Sequence, residues 1–316
     1  MNNRLAIIIP CYNEEECLSK TAKEIRSVLL NLIQKSKISE DSFIYFVNDG
    51  SRDKTWDIIS KLHDEDPKIF KGLKFSRNFG HQNAILAGLF YTKERADFFV
   101  TIDADLQDDT NVIEKFLDAY YNDGAEIVYG VRKKRETDTF FKKITAEIFY
   151  KLMLVMGVNI VYNHADYRFA TKKAIENLFL FNEVNLFLRG IFPLIGFKTQ
   201  QVFYDRKERE FGKSKYSLKK MINFAWDGIT SFSIAPLRFF VFISFFILIL
   251  SIILGIYFLI RHFTGHTITG WTSLTVLILF LGSLQSLGIG ILGEYIGKIY
   301  KETKQRPRFI KDIEIF

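Results

Sequence analysis

Residues Phe98 to Asp109 read FFVTIDADLQDD. The apolar run Phe98-Phe99-Val100 has the length and composition of a buried strand. It leads into two carboxylates one residue apart, Asp103 and Asp105. A strand ending in such a pair is a natural seat for a hard divalent cation, because Mg²⁺ is usually held by one or two carboxylates together with substrate phosphates. Ala104 between them is small enough to leave a ligand room. A solvated acidic turn is the alternative reading of these residues, and the surrounding sequence has to decide.

Three similar units precede this one. Leu5–Ile9 reads as a strand before a helix from Glu14 to Leu32, and Phe43–Val47 before a helix from Thr55 to His63. Gly72–Phe75 reads as a strand before a helix from His81 to Tyr91. Continuous apolar runs alternating with helices predict an α/β fold with a parallel sheet covered on both faces. In such folds ligands bind beyond the carboxyl ends of the strands. Polar clusters stand at those ends: PCYNE from Pro10, NDGS from Asn48, SRNFG from Ser76 and DAD from Asp103. Four polar loops at one sheet edge exceed what solvated turns require. No Gly-x-Gly-x-x-Gly follows the first strand and no Walker-type loop occurs, which disfavours a dinucleotide dehydrogenase and a P-loop enzyme.

The chain has 316 residues, 48% apolar and 25% charged, enough for one large domain or two modest ones. Its net charge of +7 and pI near 9.1 suit an anionic membrane surface or phosphorylated substrates. No nucleic-acid-binding signature is present, so no nucleic-acid partner is expected. The two cysteines, Cys11 and Cys17, lack metal-type spacing and are expected to stay reduced. The apolar run after Arg4 is too short for a signal peptide.

Phe239–Ile260 and Trp271–Gly293 carry no charge, and each is close to the ~20 residues a helix needs to cross a bilayer. Lys213, Lys215, Lys219, Lys220 and Arg238 precede the first run; Lys298, Lys301, Lys304, Arg306, Arg308 and Lys311 follow or close the second. Between them stands Arg261. This asymmetry places both ends on the cytoplasmic side of a cell membrane. The expected organisation is a cytoplasmic domain over 1–232, a transmembrane hairpin over 233–300 with spans near 237–260 and 271–293, and a basic cytoplasmic tail over 301–316. Gly282, Ser283, Ser286, Gly290 and Gly293 would let the second span pack closely in the hairpin or in an oligomer. The stretches 140–156 and 216–232 mix basic and apolar residues and are expected to lie in the membrane interface, with ordinary surface helices as the alternative.

The runs IIIPCYNEEE, FVNDGSRDKT, FSRNFGHQNAILAGL and TIDADLQDD together resemble the inverting family-two glycosyltransferases. The fold this implies is a nucleotide-sugar-binding glycosyltransferase A-type (Rossmann-like) domain, here followed by a two-helix transmembrane hairpin. VYGVRKKR, DYRFATKKA, NLFLRG, EREFGKSKYSLKKM and GEYIGKIYKETKQRPRF narrow the resemblance to polyisoprenyl-phosphate glycosyltransferases. These are the bactoprenol glucosyltransferase and aminoarabinose transferase type, with dolichyl-phosphate mannose synthases as more distant relatives. Tyr167-Arg168-Phe169 stands where relatives often show Phe-Arg-Leu, a conservative departure.

The resemblance implies transfer of a sugar, glucose first, from a UDP-sugar to undecaprenyl phosphate for cell-envelope glycans. It implies a homo-oligomer, a tetramer by analogy. Asp103, Asp105 and Gln107 are the expected ligands of Mg²⁺ or Mn²⁺. Pro10, Tyr12, Asn13, Glu14, Asp49, Ser51, Arg77 and Asp103 are the expected donor-binding residues, with Tyr12 against the base and Glu14 and Asp49 accepting from base or ribose. Asp105, Asp166 and Arg209 are the catalytic candidates; Asp166 is a base or an acceptor-orienting group, or else a helix-capping residue. Arg132, Arg135, Arg206, Lys213 and Lys215 are the candidates for the lipid phosphate, with anionic lipid as their alternative partner. A phosphate monoester, with a second pKa of about 6, is already a nucleophile at neutral pH and needs no strong base. His81 and His164 have no spacing that assigns them chemistry. Two rivals stand against this reading. A processive polysaccharide synthase would carry Gln-x-x-Arg-Trp, where this chain reads NLFLRG. A catalytically silent scaffold would have no need of Asp103 and Asp105.

Overall fold

The computed structural model describes residues 3–133, 161, 164–183, 187–205, 226, 228–231, 233–264 and 270–316. The chain divides into two units. The first draws on residues up to Ser217 and on Arg306–Phe316; the second lies within Leu218–Gln305, with Lys151–Val158.

The first unit is built on one sheet of eight strands. In chain order they are β1 (Leu5–Cys11), β2 (Phe43–Asn48), β3 (Phe70–Phe75), β4 (Phe98–Thr101), β5 (Ile127–Arg132), β6 (His164–Thr171), β7 (Thr199–Tyr204) and β8 (Lys311–Ile315). Their spatial order is β7-β5-β6-β4-β1-β2-β3-β8. The helices are α1 (Leu18–Gln34), α2 (Thr55–Glu65), α3 (His81–Thr92), α4 (Val112–Asp123), α5 (Lys172–Leu178) and α6 (Leu188–Leu194). Every residue of β1, β2 and β4 is buried, which is why these strands read as unbroken apolar runs rather than alternating ones.

Two expectations need correction. The sheet is mixed rather than parallel. β4, β1, β2 and β3 run parallel, but β6 is antiparallel to both β4 and β5, and β8 is antiparallel to β3. An apolar run reports burial and not direction. The reversal has a consequence for the site: Thr101, the last residue of β4, faces Arg168, so the beginning of β6 lies where β4 ends. The second correction concerns 301–316. This segment is not a free basic tail, because Arg306–Phe316 belongs to the sheet unit and Lys311–Ile315 is its edge strand.

The second unit contains two long helices, α7 (Ala235–Phe263) and α8 (Trp271–Thr303). Both are long and apolar enough to cross a membrane. Large side chains such as Phe239, Phe242 and Ile289 stand exposed along them. α8 continues ten residues past the uncharged run to Thr303. Close packing between the helices occurs at Gly288, where an added Cβ would come within 2.2 Å of the Phe240 ring. Gly282, Gly290 and Gly293, singled out from the sequence, face open space. Small-residue spacing marks a possible seam, and the partner's ring decides which glycine is used. Of the two expected interfacial stretches, 140–156 lies outside the described residues, and within 216–232 only 226 and 228–231 are described.

Candidate active site

The site forms at the carboxyl end of β4. Asp103 and Asp105 follow the strand as half-buried carboxylates around buried Ala104. The loop is held from several sides. The Thr21 hydroxyl of α1 donates to the Ala104 carbonyl at 2.6 Å, and the Gln107 backbone N–H donates to Asp105 Oδ1 at 3.2 Å. Leu106 sits at φ 53, a left-handed conformation that a branched side chain adopts only when its surroundings impose it. Asp108 is buried, and its Oδ1 accepts from the Tyr204 hydroxyl at 2.5 Å and from Arg132 Nη2 at 3.2 Å. The Tyr167 hydroxyl donates to the Asp109 carbonyl at 3.0 Å.

Asp166 stands on β6, and the Thr101 hydroxyl donates to its carbonyl at 2.6 Å. Its carboxylate is clamped by two arginines. Arg168 Nη2 donates to Oδ1 at 2.5 Å; Arg189 Nε donates to Oδ1 at 3.3 Å and its Nη2 to Oδ2 at 3.1 Å. Burial would raise the pKa of this carboxyl, but Arg189, Arg168 and His81 outweigh it and hold the group far below the usual carboxylate range. Arg168 is itself fully buried, with its guanidinium 4.5 Å from the centre of the Phe192 ring.

His81 opens α3 and joins the two carboxylates. Its Nε2 lies 3.5 Å from Asp103 Oδ1 and 3.7 Å from Asp166 Oδ2. The loop before it is set by Asp49, whose Oδ1 accepts from the Phe79 amide at 2.6 Å and Oδ2 from the Gly80 amide at 2.9 Å. Burial pushes the Asp49 pKa up, and these two N–H donors oppose it. Gly80 takes φ 98 and Gly50 φ 63. At Gly50 a Cβ would stand 2.3 Å from the Arg77 backbone, so only glycine lets the loops after β2 and β3 approach so closely.

The remaining donor-side candidates fall into three groups. Asn13 and Ser51 lace the loops after β1 and β2 together: the Asn13 backbone N–H donates to Ser51 Oγ at 3.0 Å, and the Arg52 backbone N–H to Asn13 Oδ1 at 2.9 Å. Pro10 lies within β1 opposite Val47. Tyr12 and Glu14 are half-buried at the rim, and exposed Arg77 lies 4.0 Å over the Phe79 ring. Of the lipid-phosphate candidates, Arg132 is engaged with Asp108. Arg135, Arg206, Lys213 and Lys215, and the catalytic candidate Arg209, lie outside the described residues. His81, Arg168 and Arg189, which the sequence left without roles, form the centre of the cluster. All three stand in quoted segments (FSRNFGHQNAILAGL, DYRFATKKA, NLFLRG), but no spacing joins them.

The electrostatics favour a cation. Burial pushes the Asp103 pKa up to about 6; His81 opposes the rise, and Asp108, Asp105 and Asp166 add to it. A carboxylate raised first by burial and then by its acidic neighbours is one whose charge a divalent ion would relieve. Among the described residues no group of three or more His, Cys, Asp or Glu could hold a metal unaided. Asp103 and Asp105 supply two neighbouring carboxylates of the kind a hard divalent ion takes. Cys11 and Cys17 are buried and free, and burial and Glu14 push the Cys17 thiol up to about 12, which leaves it unreactive.

Residues 6–179 match the family described as Glycosyl transferase family 2, and residues 235–299 match the one described as GtrB C-terminal hairpin. The uncharacterized glycosyltransferase YkoT of Bacillus subtilis (strain 168) is 52% identical over 312 residues, which cover 99% of this chain and 92% of that one. The bactoprenol glucosyl transferase of Shigella phage SfX is 40% identical over 309 residues, covering 97% and 98%. The prophage bactoprenol glucosyl transferase homolog of Escherichia coli (strain K12) is 39% identical over 309 residues, again covering 97% and 98%.

Proposed function

The chain belongs to glycosyl transferase family 2, and we propose that it is a membrane enzyme that moves glucose from a nucleoside diphosphate donor, UDP-glucose, onto polyprenyl (undecaprenyl) phosphate. One observation carries this reading: similarity to bactoprenol glucosyl transferases runs over 97% of the chain, through the sheet unit and the helical hairpin alike. A processive synthase would have no use for a hairpin of that type, and a silent scaffold none for the carboxylate cluster.

The reaction is one in-line displacement. An oxygen of the lipid phosphate attacks the anomeric carbon, the bond to the donor's diphosphate oxygen breaks, and the configuration inverts. The nucleoside diphosphate leaves with the electron pair. Asp103 and Asp105, with Gln107 close by, would hold Mg²⁺ or Mn²⁺, which neutralises charge on the leaving diphosphate. The chain's own groups supply position. Asp49 fixes the loop that carries His81, and His81 reaches both Asp103 and Asp166. Asp166, ionised and clamped, suits orientation better than proton abstraction, because a carboxylate so strongly held is a weak base. The acceptor, already dianionic for the most part near neutral pH, needs no proton removed. Arg132 and the basic residues Arg135, Arg206, Arg209, Lys213 and Lys215 are proposed to receive its phosphate. The hairpin crosses the cell membrane with both ends and the sheet unit on the cytoplasmic side, where the lysine and arginine excess stands, and the protein works as a homo-oligomer.

The test is a transfer assay on purified full-length protein in detergent, with undecaprenyl phosphate, Mg²⁺ or Mn²⁺ and a panel of nucleotide sugars. Lipid-linked sugar from one donor, lost with chelator and reduced about 100-fold or more in Asp105→Ala, is the expected result. Intact donors throughout, from a protein that still binds UDP, would overturn it.

A further inference from the structure

Arg306–Phe316 belongs to the sheet unit, yet nothing in the reaction above uses it. β8 pairs with β3 from Gly72 opposite Ile315 to Phe75 opposite Lys311, with an irregularity between Lys74 and Phe75. Its far end is anchored away from the site. The Phe316 ring meets Phe43 edge-on at 5.2 Å and lies 3.8 Å from the Arg95 guanidinium. Glu314 accepts from the Tyr45 hydroxyl at 3.2 Å and from Arg95 Nη1 at 3.1 Å.

The near end touches the loop that carries His81. The Ser76 amide donates to the Ile310 carbonyl at 3.1 Å. The Phe309 ring stacks on Phe75 at 5.4 Å with 7° between planes, and Phe75 meets Phe79 edge-on at 5.6 Å. Phe309 also lies 6.4 Å from Phe90 and 6.2 Å from Tyr91, both on α3. One half-buried ring thus braces the strand before the 76–80 loop and the helix after it. The loop itself turns through Gly80 at φ 98 and is closed by the two bonds from the Phe79 and Gly80 amides to Asp49.

We propose that Phe309 is a positioning residue for the active site: brought back to the sheet by β8, its ring fixes the turn that Asp49 closes and from which His81 reaches Asp103 and Asp166. The role rests on reading that loop as part of the donor site. It acts through Phe75 and Phe79, with no contact to substrate.

The test compares full-length wild type, Phe309→Ala, Phe309→Tyr and Phe316→Ala in detergent. Hydrogen exchange reads protection of the Phe79 and Gly80 amides, and steady-state kinetics separates KM for UDP-glucose from kcat. In Phe309→Ala both amides lose about tenfold in protection and KM rises about tenfold, the scale of a lost aromatic pair, while kcat stays within about twofold. Phe309→Tyr, which keeps the stack, restores both, and Phe316→Ala, which loosens only the far end of the strand, moves neither. Wild-type exchange and KM in Phe309→Ala would overturn the proposal, as would equal losses in Phe316→Ala. The exchange readout needs no donor: absence of transfer by wild type would sink the functional reading, and amide protection would still decide the role of Phe309.

Discussion

Arg189 grips Asp166 with two nitrogens, Nε at 3.3 Å from Oδ1 and Nη2 at 3.1 Å from Oδ2. The arginine comes from α6 and the carboxylate from the first residues of β6, so the pair ties a helix to the strand that runs against its neighbours. A fork of this kind fixes the carboxylate plane as well as its charge.

Arg189→Ala should therefore lower kcat/KM by about 100-fold, the scale of a misplaced reacting group. Arg189→Lys should recover little, because an ammonium cannot reproduce the fork. Steady-state kinetics of the two variants checks this; near-complete rescue by lysine would show that charge alone matters.

Asp166→Asn keeps the shape and removes the charge. Since Asp166 stays ionised at any pH where the enzyme is assayed, the loss should be the same from pH 5 to 8, with no limb of the wild-type pH–rate profile disappearing. A limb that vanishes in the variant would assign Asp166 a proton-transfer role instead.

His164 predicts an acid sensitivity. It is buried, and its Nδ1 lies 2.7 Å from the Val161 carbonyl, which makes the imidazole a donor there. Burial, Arg168 and Arg189 push its pKa down from 6.5 to about 3. The unfolded chain then binds the proton more readily than the folded one. Stability is fully present above about pH 6.5 and falls as pH drops toward 3, by up to about 1.4 kcal/mol per unit. Thermal melts in detergent should show this decline between pH 6.5 and 4, and His164→Asn, which keeps a donor for Val161, should flatten it. Parallel curves for variant and wild type would exclude His164 as the cause.

In the hairpin, Gly288→Val should cost about 1–3 kcal/mol because the new side chain meets Phe240. Gly290→Val, two residues on and in open space within one copy, should cost far less. Melting temperatures of the two variants decide; a larger loss at Gly290 would mean that its face is covered by another copy.

Much of this architecture could be read from residues alone, for a physical reason. β1, β2 and β4 are buried on both faces, so their sequences are unbroken apolar runs, and the polar loops after them stand out. The carboxylates Asp103, Asp105 and Asp166 lie in recognisable segments. What the residues could not convey was direction and distance. β6 carries nothing that marks it as antiparallel, yet that reversal sets Asp166 beside the end of β4 and gives His81 two partners. β8 reads KDIEI, with two charges among its exposed residues, and follows a run of lysines and arginines; its strand character comes from the open edge of β3. Asn13 and Ser51 could be placed at strand ends from the residues, but the bonds by which they lace the two loops together could not.

The return of the chain to β3 also has a meaning in time. β8 leaves the ribosome only after both long helices have been made. Until then β3 is an exposed sheet edge, the kind of surface along which nascent chains pair wrongly. The sheet can be completed only after the apolar helices exist and need a bilayer. Synthesis thus orders the two events, and residues 306–316 close this edge of the sheet after the helices have been made.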